Sequence, residues 1–156
     1  MDISFRTAEG RFNFRVGAII IHENQILMVK NHRDPYYYSV GGRVHLHETL
    51  EEAILREVME ETGIPLEIEK LGFIHENFFT LEHSGEVFHE ISFFYYMKPF
   101  ENLSLVNQSL TEDGVEEKLE WIPLDKIHEV TLYPEFFKTH LYGGLGQVQH
   151  FVTREN

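Results

Sequence analysis

Residues Gly42 to Ile64, GRVHLHETLEEAILREVMEETGI, constrain this chain most, because they specify one capped helix and load its last turns with carboxylates. Thr49 stands where a helix N-cap belongs, and Glu52 follows three residues later, as in a capping box. Leu50, Ala53, Ile54 and Val58 then recur at helical spacing. Gly63 suits the left-handed position just past a helix end, Ile64 is placed to fold back onto the helix, and Pro65 forbids continuation. The spacing therefore predicts a helix over residues 49–62. On it Glu57 and Glu61 lie one turn apart and Glu60 three positions from Glu57, so these carboxylates share an arc of about 100°. Leu50, Ile54 and Val58 point elsewhere and anchor the helix.

Three carboxylates this close repel one another unless a cation joins them. Hard divalent ions relieve that repulsion through oxygen ligands while keeping positions open for water. Such an ion neutralises phosphate oxygens and lowers the pKa of a coordinated water. Taken alone, acids near a helix C-terminus read as a solvated face, and Glu52 with Arg56 as an i, i+4 ion pair. Two framing glycines and Glu48 at fixed offsets turn the reading toward a site. Glu60 and Glu61 also oppose the helix dipole, as acids kept for function would.

A length of 156 residues fits one domain, taken here as residues 1–156. Apolar residues make up 42% and charged residues 25%, a mixture that argues against wholesale disorder. No segment approaches the roughly 20 apolar residues of a membrane span. MDISFRTAEGRF lacks the basic and apolar regions of a secretory signal, so a cytoplasmic location is expected. The absence of cysteine excludes disulfides, zinc-thiolate sites and cysteine nucleophiles. A formal charge of −13 argues against a nucleic-acid polymer as partner. It leaves room for a small phosphorylated ligand, because a metal held by carboxylates reverses the local potential.

Phe12 to Ile21 and Gln25 to Val29 read as a β-hairpin about the turn His22-Glu23-Asn24, and Tyr36 to Val40 as a third strand that Gly41-Gly42 breaks. Glu67 to Leu81 and Glu86 to Lys98 are longer strands joined by His83-Ser84-Gly85. Asn102 to Gly114 reads as a polar loop, Lys118 to Ile122 as a final strand around Trp121, and Pro134 as the first turn of a second helix ending near Gly143-Gly144. Strands interleaved with one strong and one weaker helix indicate an α/β domain with a mixed sheet between helices.

The spacing from Gly42 through Glu48 to Arg56-Glu57-Val58-Met59-Glu60-Glu61-Thr62-Gly63-Ile64 meets G-x5-E-x7-R-E-U-x-E-E-x-G-U, with U aliphatic, at every specified position. In this the chain resembles the Nudix hydrolases. Only the box is a sharp match; the remainder agrees in the order of elements. The resemblance implies an α/β/α sandwich over residues 12–142 with a mixed sheet, the box forming a loop-helix-loop. It implies Mg²⁺, with Mn²⁺ as a substitute, held by Glu57, Glu60 and Glu61, with Gly41 offering a backbone carbonyl. Glu57 is also the first choice for the base that deprotonates water, Arg56 would orient the glutamates, and Glu48 would brace the loop or join the metal shell. Gly42 would let the loop pass close to the phosphates, and Lys30, Arg15 and Arg43 would contact them. A further acid before Trp121 is expected from the family, with Glu116 and Glu117 in place for it. A homodimer is the oligomeric state the resemblance suggests.

His45 and His47 replace the Glu and Gly often found in the family's longer consensus. They read as loop histidines near phosphates or as an H-x-H zinc pair lacking a third ligand, and H-E-x-x-H does not occur. Tyr36, Tyr37, Phe78, Phe79 and Phe88 are open to two readings, nucleobase stacking or core packing. The implied activity is Mg²⁺-dependent hydrolysis of a nucleoside diphosphate linked to another group. Phe78, Phe79 and Thr80 occupy the places of the family's ADP-ribose and dinucleoside-polyphosphate markers, which leaves a nucleoside triphosphate or related small nucleotide. A nucleotide-sensing Nudix domain without catalysis is the alternative. An isoprenoid isomerase would need a catalytic cysteine, which the chain lacks.

Overall fold

A computed structural model describes residues 1–101, 108–110 and 116–155. Strands β1 (Ser4–Thr7), β2 (Gly10–Ile19), β3 (Ile21–His22), β4 (Gln25–Asn31) and β5 (Tyr37–Arg43) precede helix α1 (Leu50–Thr62). After it come β6 (Ile68–Thr80), β7 (Val87–Met97), β8 (Gln108–Leu110), β9 (Glu116–Pro123), β10 (Leu132–Tyr133), the one-turn α2 (Phe137–His140) and β11 (Gln149–Arg154). The main path of the sheet runs β11-β6-β7-β2-β5-β4-β9-β8, with β2–β7 and β6–β11 parallel and the other neighbours antiparallel.

Apolar residues on both faces of β2 and β4 explain the layers. Val16, Ala18, Ile20, Leu27, Val29 and Val40 pack with Ala53, Ile54 and Val58 of α1. Ile19, Ile26, Met28, Phe73 and Phe94 pack on the other face with Ile127, Phe136 and Phe137. Alternation along each strand thus feeds two cores, and the mixed sheet lies between α1 and a thinner layer of 3-10 turn (Leu124–Glu129) and α2. Ile54 and Val58 are fully buried, each contributing about 1.5–3 kcal/mol by apolar transfer.

Helix α1 begins and ends as its residues dictate. The Thr49 hydroxyl accepts from the Glu52 amide at 3.1 Å, and the Glu52 carboxylate accepts from the Thr49 amide at 3.4 Å. Gly63 closes the helix at φ 73°, its amide donating to Met59 O at 2.9 Å. Among the described residues no helix is long and apolar enough to cross a membrane.

Several expectations are corrected. The hairpin exists only at its tip, where Ile21 and His22 pair with Ile26 and Gln25 across Glu23 and Asn24, both at positive φ. Strand β2 pairs instead with β7 and β5. Gly41 and Gly42 do not break β5; they let it continue. Tyr38 and Ser39 pair with β4, then Val40 to Arg43 pair with β2, so β5 stitches the halves of the sheet together. A Cβ on Gly41 would stand 2.1 Å from Val16 O, a contact only glycine avoids.

The expected loop 102–114 contains the short strand β8; its other residues lie outside the described ones. The strand around Trp121 is β9, but it is not final, since β10 and β11 follow. Pro134 opens no long helix: Phe137, Lys138 and Thr139 donate three residues back, and α2 stops after one turn. The sheet also extends beyond the expected 12–142 span through β1 and β11.

Candidate active site

The end of β5 and the last turns of α1 close on each other because glycine stands where a side chain would intervene. A Cβ on Gly42 would come within 2.4 Å of the Glu57 carboxylate, and the Gly41 amide donates to Glu61 Oε2 at 3.0 Å. Backbone and carboxylates therefore share one surface.

Arg56 braces that surface from the side. Its Nε and Nη2 donate to the two oxygens of Glu48 at 2.7 and 2.9 Å, a fork-on-carboxylate geometry that fixes the guanidinium plane. Nη1 reaches Glu57 at 2.8 Å and Glu60 at 3.4 Å, and Nη2 also reaches the Arg43 carbonyl at 3.0 Å. Glu48 accepts the His45 amide at 2.9 Å, so loop, helix and strand end are tied through one ion pair. Its hydrogen bonds with Arg56 hold the Glu48 carboxyl down at about 2, and the same bonds raise the Arg56 pKa. Glu52 is occupied by the cap; Arg56 pairs with Glu48, Glu57 and Glu60.

A further carboxylate arrives from β9. Glu117 is buried, with 8% of its surface exposed, and lies in electrostatic range of Glu61. The Tyr38 hydroxyl of β5 donates to Glu117 Oε2, and Asn31 Nδ2 of β4 donates to that hydroxyl at 3.3 Å. Glu116, beside it, is only half-buried.

These acids are held where ionisation is resisted. Burial pushes the Glu61 carboxyl well up, with Glu117 and Glu57 adding repulsion and the Gly41 amide opposing it. Burial also raises Glu57, against the pull of Arg56 and Arg15. Desolvated, mutually repelling carboxylates beside a strand backbone match the oxygen-donor chemistry of a hard divalent cation. Among the described residues no three His, Asp or Glu side chains already form an ion cage. The fit therefore rests on donor chemistry and on the Gly42 cradle.

The sequence pattern of the NUDIX domain matches residues 11–140, most of the chain. The chain belongs to the NUDIX family. An ADP-ribose pyrophosphatase of Methanocaldococcus jannaschii is 39% identical over 59 residues, covering 36% of this chain and 35% of that protein. A MutT-like protein of Streptomyces ambofaciens is 31% identical over 61 residues, 39% of this chain and 40% of that protein. The matched part thus spans well under half of these curated relatives. A mutator MutT protein from Bacillus halodurans superposes with a TM-score of 0.67 at 21% identity, covering 90% of each chain, which shows the same α/β Nudix fold.

Within this Nudix frame the other sequence candidates are dispersed. Arg15 lies in electrostatic range of both Glu57 and Glu61. Arg43 contacts Asp2 at 3.4 Å, and Asp2 also meets His45 at 3.3 Å. Lys30 lies over the Tyr37 ring, which packs against the α2-side core, on the sheet face away from α1. Tyr37 is bound to Glu120, whose carboxylate pushes the phenol up to about 12. Phe79 stacks on Phe88 at 5.1 Å, while Phe78 lies between His89 and Arg154. Tyr36 packs edge-on against Tyr133. Each of these rings has an intramolecular partner. Glu60 is exposed, and His47 adopts φ 71°, in the left-handed region that favours glycine.

Sequence reasoning named Glu117 only as one of two acids and missed Tyr38 and Asn31. The period-two pattern of β4, β5 and β9 carried the available signal, but their adjacency is set by the order of strands in the sheet.

Proposed function

We propose that this Nudix protein is a Mg²⁺-dependent pyrophosphohydrolase that cleaves a diphosphate linkage in a small nucleotide, a nucleoside triphosphate or related compound. The observation that carries the reading is the Glu57 carboxylate resting on Gly42, with Glu61 tied to Gly41 beside it. Glu57 and Glu61, with Glu60 and the Gly41 carbonyl, would hold the ion. When bound, Mg²⁺ supplies charge neutralisation on the diphosphate and acidifies water. Mn²⁺ offers the same hard-oxygen chemistry.

The chain's residues divide the remaining work. Glu57 is the first choice for the base that takes the proton from water, its carboxylate lying against the Gly42 backbone and held by Arg56 Nη1 at 2.8 Å. Arg56, locked by Glu48, keeps Glu57 from rotating away. Arg15 forms no ion pair among the described residues and is left for a substrate phosphate. Arg43 and the Gly42 backbone flank the same path, whereas Lys30, the other phosphate contact expected from the resemblance, lies on the sheet face away from α1. The relative acting on ADP-ribose matches over about a third of its length, and Phe78 stands at that subtype's marker position. The reading therefore stays with nucleotides bearing a phosphate chain. Residues 1–156 are taken as one functional unit that works on a free nucleotide, in the cytoplasm, as a homodimer.

Product formation, followed as nucleoside monophosphate with its co-product pyrophosphate or phosphomonoester, across nucleoside triphosphates, ADP-ribose, dinucleotides, diadenosine polyphosphates and coenzyme A tests the proposal. Mg²⁺-dependent turnover of a triphosphate above the others is expected. Nucleotide binding with no product from any of them would transfer the reading to a sensing domain.

A further inference from the structure

We propose that Tyr38 is a positioning residue that orients Glu117, the acid before Trp121 that the Nudix resemblance leads one to expect at the metal site. The inference rests on the pyrophosphohydrolase reading and assigns Tyr38, Asn31 and Glu117 a joint role. Three adjacent strands bring them together: Val29 of β4 pairs with Tyr38, and Asn31, two residues on, pairs with Glu117 of β9. The period of two puts all three side chains on the α1 face.

The direction of each hydrogen bond follows from one fixed group. Asn31 Oδ1 accepts the backbone amides of Arg33 at 2.9 Å and Asp34 at 2.8 Å, so its amide cannot be turned over without losing both. Its Nδ2 is thereby aimed at the Tyr38 hydroxyl and at Asp34 Oδ2, 3.2 Å away. A phenol that accepts from Asn31 has a single proton left to give, and it goes to Glu117. The loop after β4 thus determines, through Asn31 and Tyr38, which way the Glu117 carboxylate faces. Glu61, the neighbour it repels, is fixed independently by the Gly41 amide. Two carboxyl groups in electrostatic range of each other are fixed by separate ties, an arrangement that a shared cation stabilises. Partners that orient a ligating carboxylate are worth about 10–100-fold in metal affinity.

The test is Mn²⁺ binding to the purified full chain, followed by electron paramagnetic resonance, alongside the Mg²⁺ concentration giving half-maximal hydrolysis. Tyr38→Phe keeps the ring, so the metal-free melting temperature should change little while Mn²⁺ affinity falls on the order of tenfold. Half-activating Mg²⁺ should rise by the same factor, and kcat at saturating Mg²⁺ should largely recover. Glu117→Gln should lose at least as much affinity, and adding Tyr38→Phe to it should cost nothing more. Asn31→Ala, which leaves the phenol in place, carries the test if Tyr38→Phe does not fold. Wild-type Mn²⁺ affinity in Tyr38→Phe or Asn31→Ala, with affinity lost in Glu57→Gln, would overturn the role of Tyr38 and leave the pyrophosphohydrolase reading standing. No Mn²⁺ binding by the unaltered chain would overturn both.

Discussion

Gly41 and Gly42 are neighbours with opposite kinds of necessity. At Gly42 an added Cβ meets the tip of the Glu57 side chain, which can swing aside. At Gly41 it meets the Val16 carbonyl, which cannot. Gly42→Ala should therefore cost about 1 kcal/mol of stability or less, by denaturant unfolding, yet reduce kcat by roughly 100-fold because the carboxylate is displaced by about an ångström. Gly41→Ala should instead cost several kcal/mol, through backbone overlap and strain. Equal stability losses at the two positions would show that the cradle is not as described. That Arg56 orients the glutamates was legible through the Nudix resemblance alone; helical spacing accounts for its contact with Glu60, four residues on, but not for its contact with the adjacent Glu57. The bidentate use of Glu48 was not legible, because it depends on how the loop 43–49 folds back.

Helix α1 carries its boundaries in its own residues, which is why its reading held from cap to cap. Removing the N-cap hydroxyl with Thr49→Ala should destabilise the protein by about 1 kcal/mol, measured as a shift in urea midpoint at unchanged m-value. An unaltered midpoint would mean that the Glu52 contact suffices alone. Elements whose limits depend on neighbours were read less well. Strand β5 looked broken at Gly41-Gly42 because glycine weakens an isolated strand, whereas here it permits close approach between β5 and β2. Strand β11 escaped notice because Gln149 to Arg154 is mostly exposed and only Phe151 reaches the α2-side core. Pro134 suits the first turn of a helix, but burying both Phe136 and Phe137 against Phe73 and Phe94 sets a single tight turn.

At the scale of the whole molecule, two opposing sets of titrations shape stability. Burial lowers His75 to about 4, so the unfolded chain takes up a proton before the folded one as pH falls from about 6.5 to about 4, and stability is lost over that window. Glu48, held at about 2 by Arg56, loses its contribution between about 4.5 and 2. Glu57 and Glu61 act in reverse: their carboxyls are raised, so the metal-free fold is penalised as pH rises above the ordinary carboxylate range and relieved on acidification. His75→Gln, which cannot ionise, should flatten the stability profile between pH 6.5 and 4; an unchanged slope would remove His75 from the account. The penalty at Glu57 and Glu61 is also what a divalent ion offsets, so millimolar Mg²⁺ should raise the melting temperature near neutral pH. In the proposed mechanism hydrolysis depends on the whole assembly, because β5, α1 and β9 together bring Gly41, Glu57, Glu61 and Glu117 to one region. The most direct measurement is Mg²⁺-dependent turnover of a nucleoside triphosphate by the unaltered chain and by Glu57→Gln. Glu57→Gln should fold and turn over about 10²–10⁴ times more slowly than the unaltered chain, and near-wild-type turnover would exclude Glu57 as the base.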